Sequence, residues 1–235
     1  MKIVVLTGAG ISAESGIPTF RGADGLWEGH RVEEVATPTA FQQNPELVHK
    51  FYNARRRHLL QEHVRPNAAH IALAEFEASH DDDFLLITQN VDNLHQESGV
   101  GDGQITELHG NATYAKCLDC QLRYDLAELK ESFLRIKEPP QCNECNGLIK
   151  TATISFGQPM PEEEMVIAQK KSISCDLFIC IGTSLAVFPA ADLPVLAKET
   201  GSKLAIINNE PTQMDHIADL VINRDISEVF SEISL

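Results

Sequence analysis

Basic residues are scarce in this chain, which has 19 lysines and arginines against 34 aspartates and glutamates and a formal net charge of −15. A chain with that charge repels nucleic acid unless a local basic patch overrides its field, and the one dense basic run, at residues 55–57, is short. We therefore expect no nucleic-acid partner. The acidic balance would favour a cationic partner such as a lysine-rich peptide, although many proteins are acidic for solubility alone.

Long apolar segments are also missing. No run reaches the length of a membrane span, and the apolar start at residues 3–6 is too short for a secretion signal and leads directly into a glycine-rich turn. We interpret it as a buried strand and expect a cytoplasmic protein with no membrane partner. The 235 residues are enough for one large domain, or for a domain that carries an insert.

Short, nearly continuous apolar runs recur along the chain and predict strands. Continuous rather than alternating apolarity indicates burial on both faces, as in a parallel sheet. Helix patterns lie between them, at 11–15, 45–62 and 67–79. The predicted fold class is therefore α/β, with a Rossmann-type doubly wound parallel sheet. The predicted strands are 2–7, 83–88, 177–181, 203–208 and 219–222.

Four of the six cysteines form two CxxC pairs, Cys117 with Cys120 and Cys142 with Cys145. In a chain without a secretion signal, such pairs indicate a metal site before they indicate disulfides. Two short knuckles can give tetrahedral zinc four thiolates, and a closed four-thiolate site leaves no coordination position for chemistry. We predict one structural Zn²⁺ in a small insert at 112–150.

A glycine turn, Gly8-Ala9-Gly10, follows the first predicted strand. Glycine lets the backbone approach a pyrophosphate closely, and a following helix would offer free N–H groups to the phosphates. The spacing departs from GxGxxG because the third glycine falls late, at Gly16, and no acidic residue stands at the usual ribose position. This glycine pattern is consistent with a dinucleotide site and also with a tight turn that has only a structural role. The missing acidic residue argues against an ordinary dehydrogenase.

Further polar residues stand where they could meet a ligand. Asn90 and Asp92 follow a predicted strand, where they could bind a carboxamide and a ribose or could cap a helix. His109 is a candidate general base because an unperturbed imidazole pKa of about 6.5 suits proton transfer near neutral pH, although a lone histidine is usually structural. Two later strand ends carry candidate phosphate and ribose contacts at Gly182, Thr183, Ser184, Asn208, Asn209 and Glu210.

Together, these motifs resemble those of the sirtuin family. The segments 8–21 and 88–95 are highly specific, and His109-Gly110, the cysteine quartet and the two later loops follow in the family's order, over nearly the whole chain. The resemblance implies a compact, bacterial-type NAD-dependent protein-lysine deacylase. Such an enzyme binds NAD and an acylated-lysine protein or peptide, and yields free lysine, nicotinamide and O-acyl-ADP-ribose.

The resemblance also implies one catalytic domain over 1–235. Its Rossmann part would comprise about 1–27, 80–111 and 151–235, its helical module about 28–79 and its zinc module about 112–150. The oligomeric state does not follow from it.

Individual residues gain roles from the same resemblance. His109 would be the general base that activates a ribose hydroxyl, and Asn90, the second catalytic residue, would position ribose and nicotinamide together with Asp92. Phe20 and Arg21 would belong to a loop that covers the cofactor. The implied NAD contacts are Gly8, Ala9, Gly10, Ser12, Ala13, Pro18, Phe20, Arg21, Trp27, Gln89, Asn90, Val91, Asp92, Gly182, Thr183, Ser184, Asn208, Asn209, Glu210 and Ile226.

A narrower resemblance concerns the acyl group. Tyr52 and Arg55 match the Tyr-x-x-Arg pair of desuccinylase-type and demalonylase-type sirtuins, and residues three apart share a helix face. A guanidinium and a phenol could bind a carboxylate, which would admit succinyl-lysine and malonyl-lysine besides acetyl-lysine. The alternative is a solvated basic helix face. Ala23 would leave room for the longer acyl chain, and Phe156 and Gly157 lie in the segment that resembles the substrate-binding strand.

Three positions depart from the family pattern. Gln158 stands where the family usually has glutamate, Thr151 where it often has proline, and Arg224 where it usually has glycine. These changes concern peptide preference and cofactor affinity, not the class of reaction. The main alternative is a zinc-containing NAD-dependent dehydrogenase. Reduction of NAD in the absence of an acyl peptide would favour it. A third hypothesis is a zinc ribbon that binds nucleic acid, and a salt-sensitive gel shift would favour it.

Overall fold

The computed structural model describes residues 1–19, 31–44, 46–48, 50–52, 63–80, 83–126, 129 and 140–232. Its strands form two sheets, one of six strands and one of three. In chain order the strands are β1 (Ile3–Thr7), β2 (Phe84–Thr88), β3 (Ile105–Glu107), β4 (Gly110–Cys117), β5 (Arg123–Asp125), β6 (Ile149–Thr153), β7 (Leu177–Ile181), β8 (Lys203–Ile207) and β9 (Leu220–Ile222).

The larger sheet is parallel throughout, in the order β3-β2-β1-β7-β8-β9. This is the doubly wound arrangement, so the predicted α/β fold class is confirmed. At the carboxyl end of β1, Thr7 pairs with Thr88 of β2 and with Ile181 of β7. The strand order reverses between β1 and β7, and ligands of open α/β sheets bind in the crevice at such a reversal.

Both faces of the central strands are buried, as their continuous apolar sequences predict. Val4 and Leu6 of β1 pack in one hydrophobic cluster, whereas Ile3 and Val5 pack in a second cluster on the opposite face. All five predicted strands are confirmed to within a residue or two at their ends. The sequence prediction omitted β3, because Ile105–Glu107 is a three-residue edge strand with a single large apolar side chain.

The helices agree less closely with the sequence patterns. Asn67 caps the helix predicted at 67–79 by accepting hydrogen bonds from Ala69 and His70. The helix predicted at 11–15 is instead a short 3₁₀ turn, Ala9–Ser12. Residues 46–48 and 50–52 are helical, and the rest of the 45–62 prediction lies outside the described residues. The other helices with full bounds are α1 (Val32–Val35), α2 (Pro38–Gln43), α3 (Ala68–Ala78), α4 (Leu94–Glu97), α5 (Glu162–Ser172), α6 (Asp192–Glu199) and α7 (Ile226–Glu232).

The described helices include none with both the length and the apolar character needed to cross a membrane.

The smaller sheet is antiparallel, in the order β5-β4-β6. It has its own hydrophobic cluster, in which Ala115, Tyr124 and Ile149 are buried. Strands β4 and β6 frame the chain that carries all four paired cysteines. Since β4 begins at Gly110 and β6 ends at Thr153, this antiparallel unit extends slightly beyond the predicted 112–150 insert.

We expect Gly110→Ala to destabilise the fold. Gly110 has a φ of +69°, and a Cβ atom there would collide with the carbonyl oxygen of Ala152. The strained backbone costs about 1–3 kcal/mol, and the collision adds to that cost. Urea unfolding measures the change in the free energy of unfolding. Gly103→Ala is the matched control, because nothing lies within 4 Å of a Cβ atom at Gly103. Equal losses in the two variants would contradict the expectation.

Candidate active site

A cavity of about 370 Å³ lies at the carboxyl edge of the six-stranded sheet. Its walls come from the loops that follow β1, β2, β7 and β8, together with the junction of β3 and β4 and the segment after β6. Parallel strands bring their carboxyl ends to one edge, which is why residues far apart in sequence meet there. The predicted residues that line the cavity are Gly8, Ala9, Gly10, Tyr52, Gln89, Asn90, Val91, His109, Phe156, Gly157, Gly182, Thr183, Ser184, Asn208, Asn209 and Glu210.

Other predicted site residues lie away from the wall or are not described. Ser12 and Asp92 lie behind Asn90, in hydrogen-bond contact with each other. Ile226 lies beside Gly182, whereas Ala13 is exposed and Pro18 is half-buried. The predictions that fall outside the described residues are those for Phe20, Arg21, Ala23, Trp27 and Arg55.

Three glycines let two strand-end loops touch. The Gly10 amide donates to the Gly182 carbonyl at 2.8 Å. A Cβ atom on Gly8 would lie 2.8 Å from that same oxygen, and one on Gly10 would lie 2.8 Å from the Gly182 Cα atom. Contact between the loops is therefore a structural reason for glycine, besides the approach of a ligand. The wall exposed at Gly8–Gly10 is mainly backbone, as a pyrophosphate site requires.

The amide side chains after β2 are held in fixed orientations. Gln89 Nε2 donates to Thr183 Oγ1 at 2.9 Å, which ties the β2 loop to the β7 loop. Asn90 Nδ2 donates to the Gly8 carbonyl at 3.0 Å and to Ser12 Oγ at 3.2 Å. Both amide hydrogens of Asn90 are thus used inside the protein, so its amide oxygen is the group that can accept a hydrogen bond from a ligand.

His109 has the geometry of a general base. Its Nδ1 lies 3.0 Å from the Gln89 carbonyl oxygen, which can only accept, so Nδ1 carries a hydrogen and Nε2 is the basic atom of the neutral ring. Burial lowers the pKa of His109 below its usual value, while the bond to Gln89 opposes that shift. The imidazole is therefore neutral, and able to accept a proton, at neutral pH.

A hydrogen-bonded cluster holds the chain on both sides of His109. Asn111 Nδ2 and Gln96 Nε2 each donate to Glu107 Oε1 at 2.7 Å, and Asn111 Nδ2 also donates to Asn93 at 3.0 Å. Burial raises the pKa of Glu107, and these hydrogen bonds oppose the rise. The cluster fixes the end of β3 and the start of β4, so it orients the intervening histidine.

The four paired cysteines converge as predicted. All four sulfur atoms lie within 4.8 Å of one another, with 3.4 Å between those of Cys117 and Cys145 and 3.5 Å between those of Cys120 and Cys142. Zinc–sulfur bonds of about 2.3 Å place tetrahedral ligands about 3.8 Å apart, so this donor set fits one structural zinc ion. Tyr124 donates to the Cys142 sulfur at 3.0 Å and lowers the pKa of that thiol to about 6.

Several residues that line the cavity were not predicted. Most of them lie in the loop after β7 or in the segment around the end of β6. The rule that ligands bind at the carboxyl ends of parallel strands identified Gly182, and it could have identified the later residues of the same loop as well. Ala36 was not recognisable, because it reaches the cavity through packing that the sequence does not reveal. The unpredicted lining residues are Thr19, Ala36, Thr153, Ile154, Ser155, Met160, Val187, Phe188 and Pro189.

Two of the departures from the family pattern have local structural roles. Gln158 lines the cavity, and its side-chain oxygen accepts a hydrogen bond from the Ser155 amide at 3.2 Å, as a glutamate oxygen could. Arg224 precedes α7 and pairs with Glu232 at 2.7 Å and with Glu228 at 3.4 Å. Its guanidinium is therefore engaged by the helix that follows it.

Comparison with known proteins agrees with this geometry. The Sir2 family model matches residues 8–189, and the chain belongs to the Sir2 family, the sirtuins. It is 47% identical over 231 residues to an NAD-dependent protein deacetylase of Rhodopseudomonas palustris, covering 97% of this chain and 88% of that protein. It is 43% identical to an NAD-dependent protein deacylase of Thermococcus sibiricus, covering 98% of this chain and 89% of the relative.

Solved structures give the same result. A Sir2 homologue mutant in complex with ADP-ribose has a TM-score of 0.88 at 38% identity, covering 98% of this chain and 89% of that one. A Sir2 protein solved with a deacetylated p53 peptide and 3′-O-acetyl ADP-ribose has a TM-score of 0.87 at 35% identity, covering 98% and 91%.

Loss of one paired cysteine should release the metal. We expect Cys142→Ser to lower bound zinc well below about one ion per chain, because the closed site needs four thiolates. The small sheet should then lose stability, since structural zinc contributes on the order of 10 kcal/mol to folding. Elemental analysis and thermal unfolding measure the two effects. Cys175→Ser, at a buried cysteine outside the cluster, should keep its zinc. A full zinc content in Cys142→Ser would contradict the assignment.

Proposed function

We propose that this chain is an NAD-dependent protein-lysine deacylase, which transfers the acyl group of a modified lysine to ADP-ribose and releases nicotinamide. The observation that carries the proposal is that Asn90 and His109 line the same cavity as the backbone wall at Gly8–Gly10. One group there can bind a sugar or amide, one can accept a proton, and the wall can accommodate phosphates. The family membership and the names of the relatives support the same activity.

The cavity residues suit a dinucleotide such as NAD. The glycine wall would take the pyrophosphate, and the loops at 182–184 and 208–210 offer hydroxyl, amide and carboxylate groups for the phosphates and the adenosine ribose. NAD supplies a glycosidic bond to a positively charged nicotinamide ring, which leaves as neutral nicotinamide. No described lysine or arginine lines the cavity, so the described part of its wall would bind the phosphates through backbone and neutral side chains.

His109 would act as the base, and its surroundings prepare it for that role. The Gln89 carbonyl holds Nδ1–H, which leaves Nε2 to remove a proton from a hydroxyl in the cavity. The main chain beyond His109 is anchored as well, because the Ile154 amide donates to the His109 carbonyl at 2.9 Å. Ile154 lies just after β6, and the same segment continues into Phe156 and Gly157 at the proposed acyl-lysine site.

We further propose that succinyl-lysine and malonyl-lysine are substrates besides acetyl-lysine. Tyr52 lines the cavity and packs edge-on against Phe51, with the ring centroids 5.6 Å apart. Tyr52 is thus one of the cavity residues, and Arg55 would supply the positive charge that the described part of the lining lacks. We also propose that the chain is divided into a Rossmann part, a helical module and a zinc module, and that it has no nucleic-acid partner.

Removal of the base should abolish turnover while the fold survives. We expect His109→Ala to lower kcat by about 10²–10⁴-fold, measured as nicotinamide release from NAD in the presence of an acyl-lysine peptide. His216→Ala is the matched control, because His216 makes a similar Nδ1 contact to a carbonyl oxygen, at 2.9 Å, but is exposed and outside the cavity.

The pH profile tests the same role. Since burial lowers the pKa of His109, wild-type kcat should fall on acidification at a lower pH than an unperturbed histidine would give, as the imidazole becomes protonated. Near-normal turnover in His109→Ala would remove His109 from the mechanism. Reduction of NAD without any acyl peptide would favour a dehydrogenase instead.

The acyl preference can be tested at Arg55. Charge-assisted hydrogen bonds are worth about 1.5–3 kcal/mol, so Arg55→Met should lower kcat/KM for a succinyl-lysine peptide by roughly 10- to 150-fold. The value for the matching acetyl-lysine peptide should change little. Arg56→Met is the control, because adjacent residues of the helix predicted at 45–62 would not share a face. Equal losses on both peptides would mean that Arg55 has no role in acyl choice.

A further inference from the structure

One buried hydroxyl group at the cavity has no hydrogen-bond partner. Thr153 lines the cavity and is only 8% exposed, and its Oγ1 atom is covered by neighbouring atoms without a hydrogen bond to any of them. Among the buried side-chain nitrogen and oxygen atoms of the described residues, the other one without a partner is His95 Nδ1, which lies outside the cavity lining. A buried hydroxyl without a partner destabilises a fold, so the fold alone gives no reason for threonine at this position.

Thr153 lies next to the proposed base. It is the last residue of β6, where it pairs with Gly110, the residue that follows His109. The amide after it, that of Ile154, donates to the His109 carbonyl at 2.9 Å. The chain then continues to Phe156, at the proposed acyl-lysine site. Thr153 therefore stands between the proposed base and the proposed acyl-lysine site, where the reacting acyl group would be held.

The main chain of Thr153 is fixed, whereas its hydroxyl group is free to turn. Pairing with Gly110 holds the residue in β6, and Lys150 Nζ donates to its carbonyl oxygen. A threonine side chain has three staggered positions about χ1. Since Oγ1 has no hydrogen bond, a change between these positions breaks none. A ligand that offers a partner can therefore draw the hydroxyl group toward the cavity.

The surroundings of Thr153 favour a neutral partner. No described lysine or arginine lines the cavity. The ammonium group of Lys150 is occupied by the main-chain carbonyls of Thr151 and Thr153, and Lys150 is not a lining residue. Burial of a carboxylate without a cation costs far more free energy than burial of a hydroxyl group. A hydroxyl group both donates and accepts, so it can pair with Thr153 in either direction.

We propose that Thr153 determines specificity for acyl groups that carry a neutral hydroxyl close to the carbonyl carbon, such as 3-hydroxybutyryl-lysine. The acyl hydroxyl and Thr153 Oγ1 form one hydrogen bond inside the cavity. A butyryl group of the same chain length leaves Oγ1 without a partner, and a site with an unpaired polar group discriminates against such an analogue. This inference rests on the proposed function, because the acyl group must enter the cavity to be transferred.

The test compares kcat/KM for a 3-hydroxybutyryl-lysine peptide, made with each enantiomer, and for the butyryl-lysine peptide of the same sequence. Thr153→Val replaces the hydroxyl by a methyl group with almost the same shape. One neutral hydrogen bond corresponds to roughly a 3- to 10-fold effect, so the ratio of kcat/KM for the better enantiomer over butyryl should fall by that factor. Thr153→Ser keeps the hydroxyl group and should keep the preference for the hydroxylated peptide.

The butyryl peptide separates this role from a contact with the acyl carbonyl, which both peptides share. Equal losses on the two peptides in Thr153→Val would mean that Thr153 binds that common group, and an unchanged ratio would mean that its hydroxyl meets no ligand. Either result would overturn the proposal. If the wild-type protein turns over no acyl peptide at all, acetyl-lysine included, the proposed function itself fails.

Thermal unfolding without substrate tests the starting observation. Thr153→Val removes a buried hydroxyl that has no partner, so the melting temperature should rise by about 2–4 °C. Thr7→Val is the matched control, because the buried Thr7 hydroxyl lies 2.9 Å from both Thr88 Oγ1 and His95 Nε2. That variant should melt at a lower temperature than the wild type. A lower melting temperature in Thr153→Val as well would show that a water molecule or a protein group already pairs with Oγ1, and the proposal would be wrong.

Discussion

The close approach of the loops after β1 and β7 is the constraint on which the site depends. Only because Gly10 and Gly182 lack side chains can the Gly10 amide reach the Gly182 carbonyl at 2.8 Å. That contact joins the two loops on either side of the point where the strand order reverses. Gln89 strengthens the junction from β2 through its bond to Thr183. The cavity is therefore formed by the fold itself, before any ligand is present.

The main chain, more than other side chains, orients the two proposed catalytic groups. Asn90 donates to the Gly8 carbonyl, and His109 donates to the Gln89 carbonyl. Carbonyl oxygens accept and never donate, so each contact leaves one defined atom of the side chain for the ligand. Fixed donors and acceptors of this kind need no reorganisation when charge develops during a reaction. The same loops that form the wall thus also set the chemistry.

The sequence predicted the parts of this arrangement that depend on local patterns. Continuous apolar runs identified Leu177–Ile181 within its exact bounds, and CxxC spacing identified the zinc ligands. The edge strand Ile105–Glu107 escaped prediction because it has too few apolar residues, and Ala36 because only tertiary packing brings it to the cavity. His70 lies in the helix predicted at 67–79, but the sequence cannot show that its ring faces Ser12.

The antiparallel sheet connects the cysteine cluster that would hold zinc to His109, the proposed general base, over a considerable distance. Strand β4 starts immediately after His109 and reaches Cys117 eight residues later, which corresponds to about 25 Å of extended chain. Zinc at that distance cannot polarise a substrate in the cavity. It can only stabilise the pairing of β4 with β6, which includes Gly110 opposite Thr153 and continues into the Ile154 bond to the His109 carbonyl. The metal would therefore affect catalysis through the backbone that holds the base.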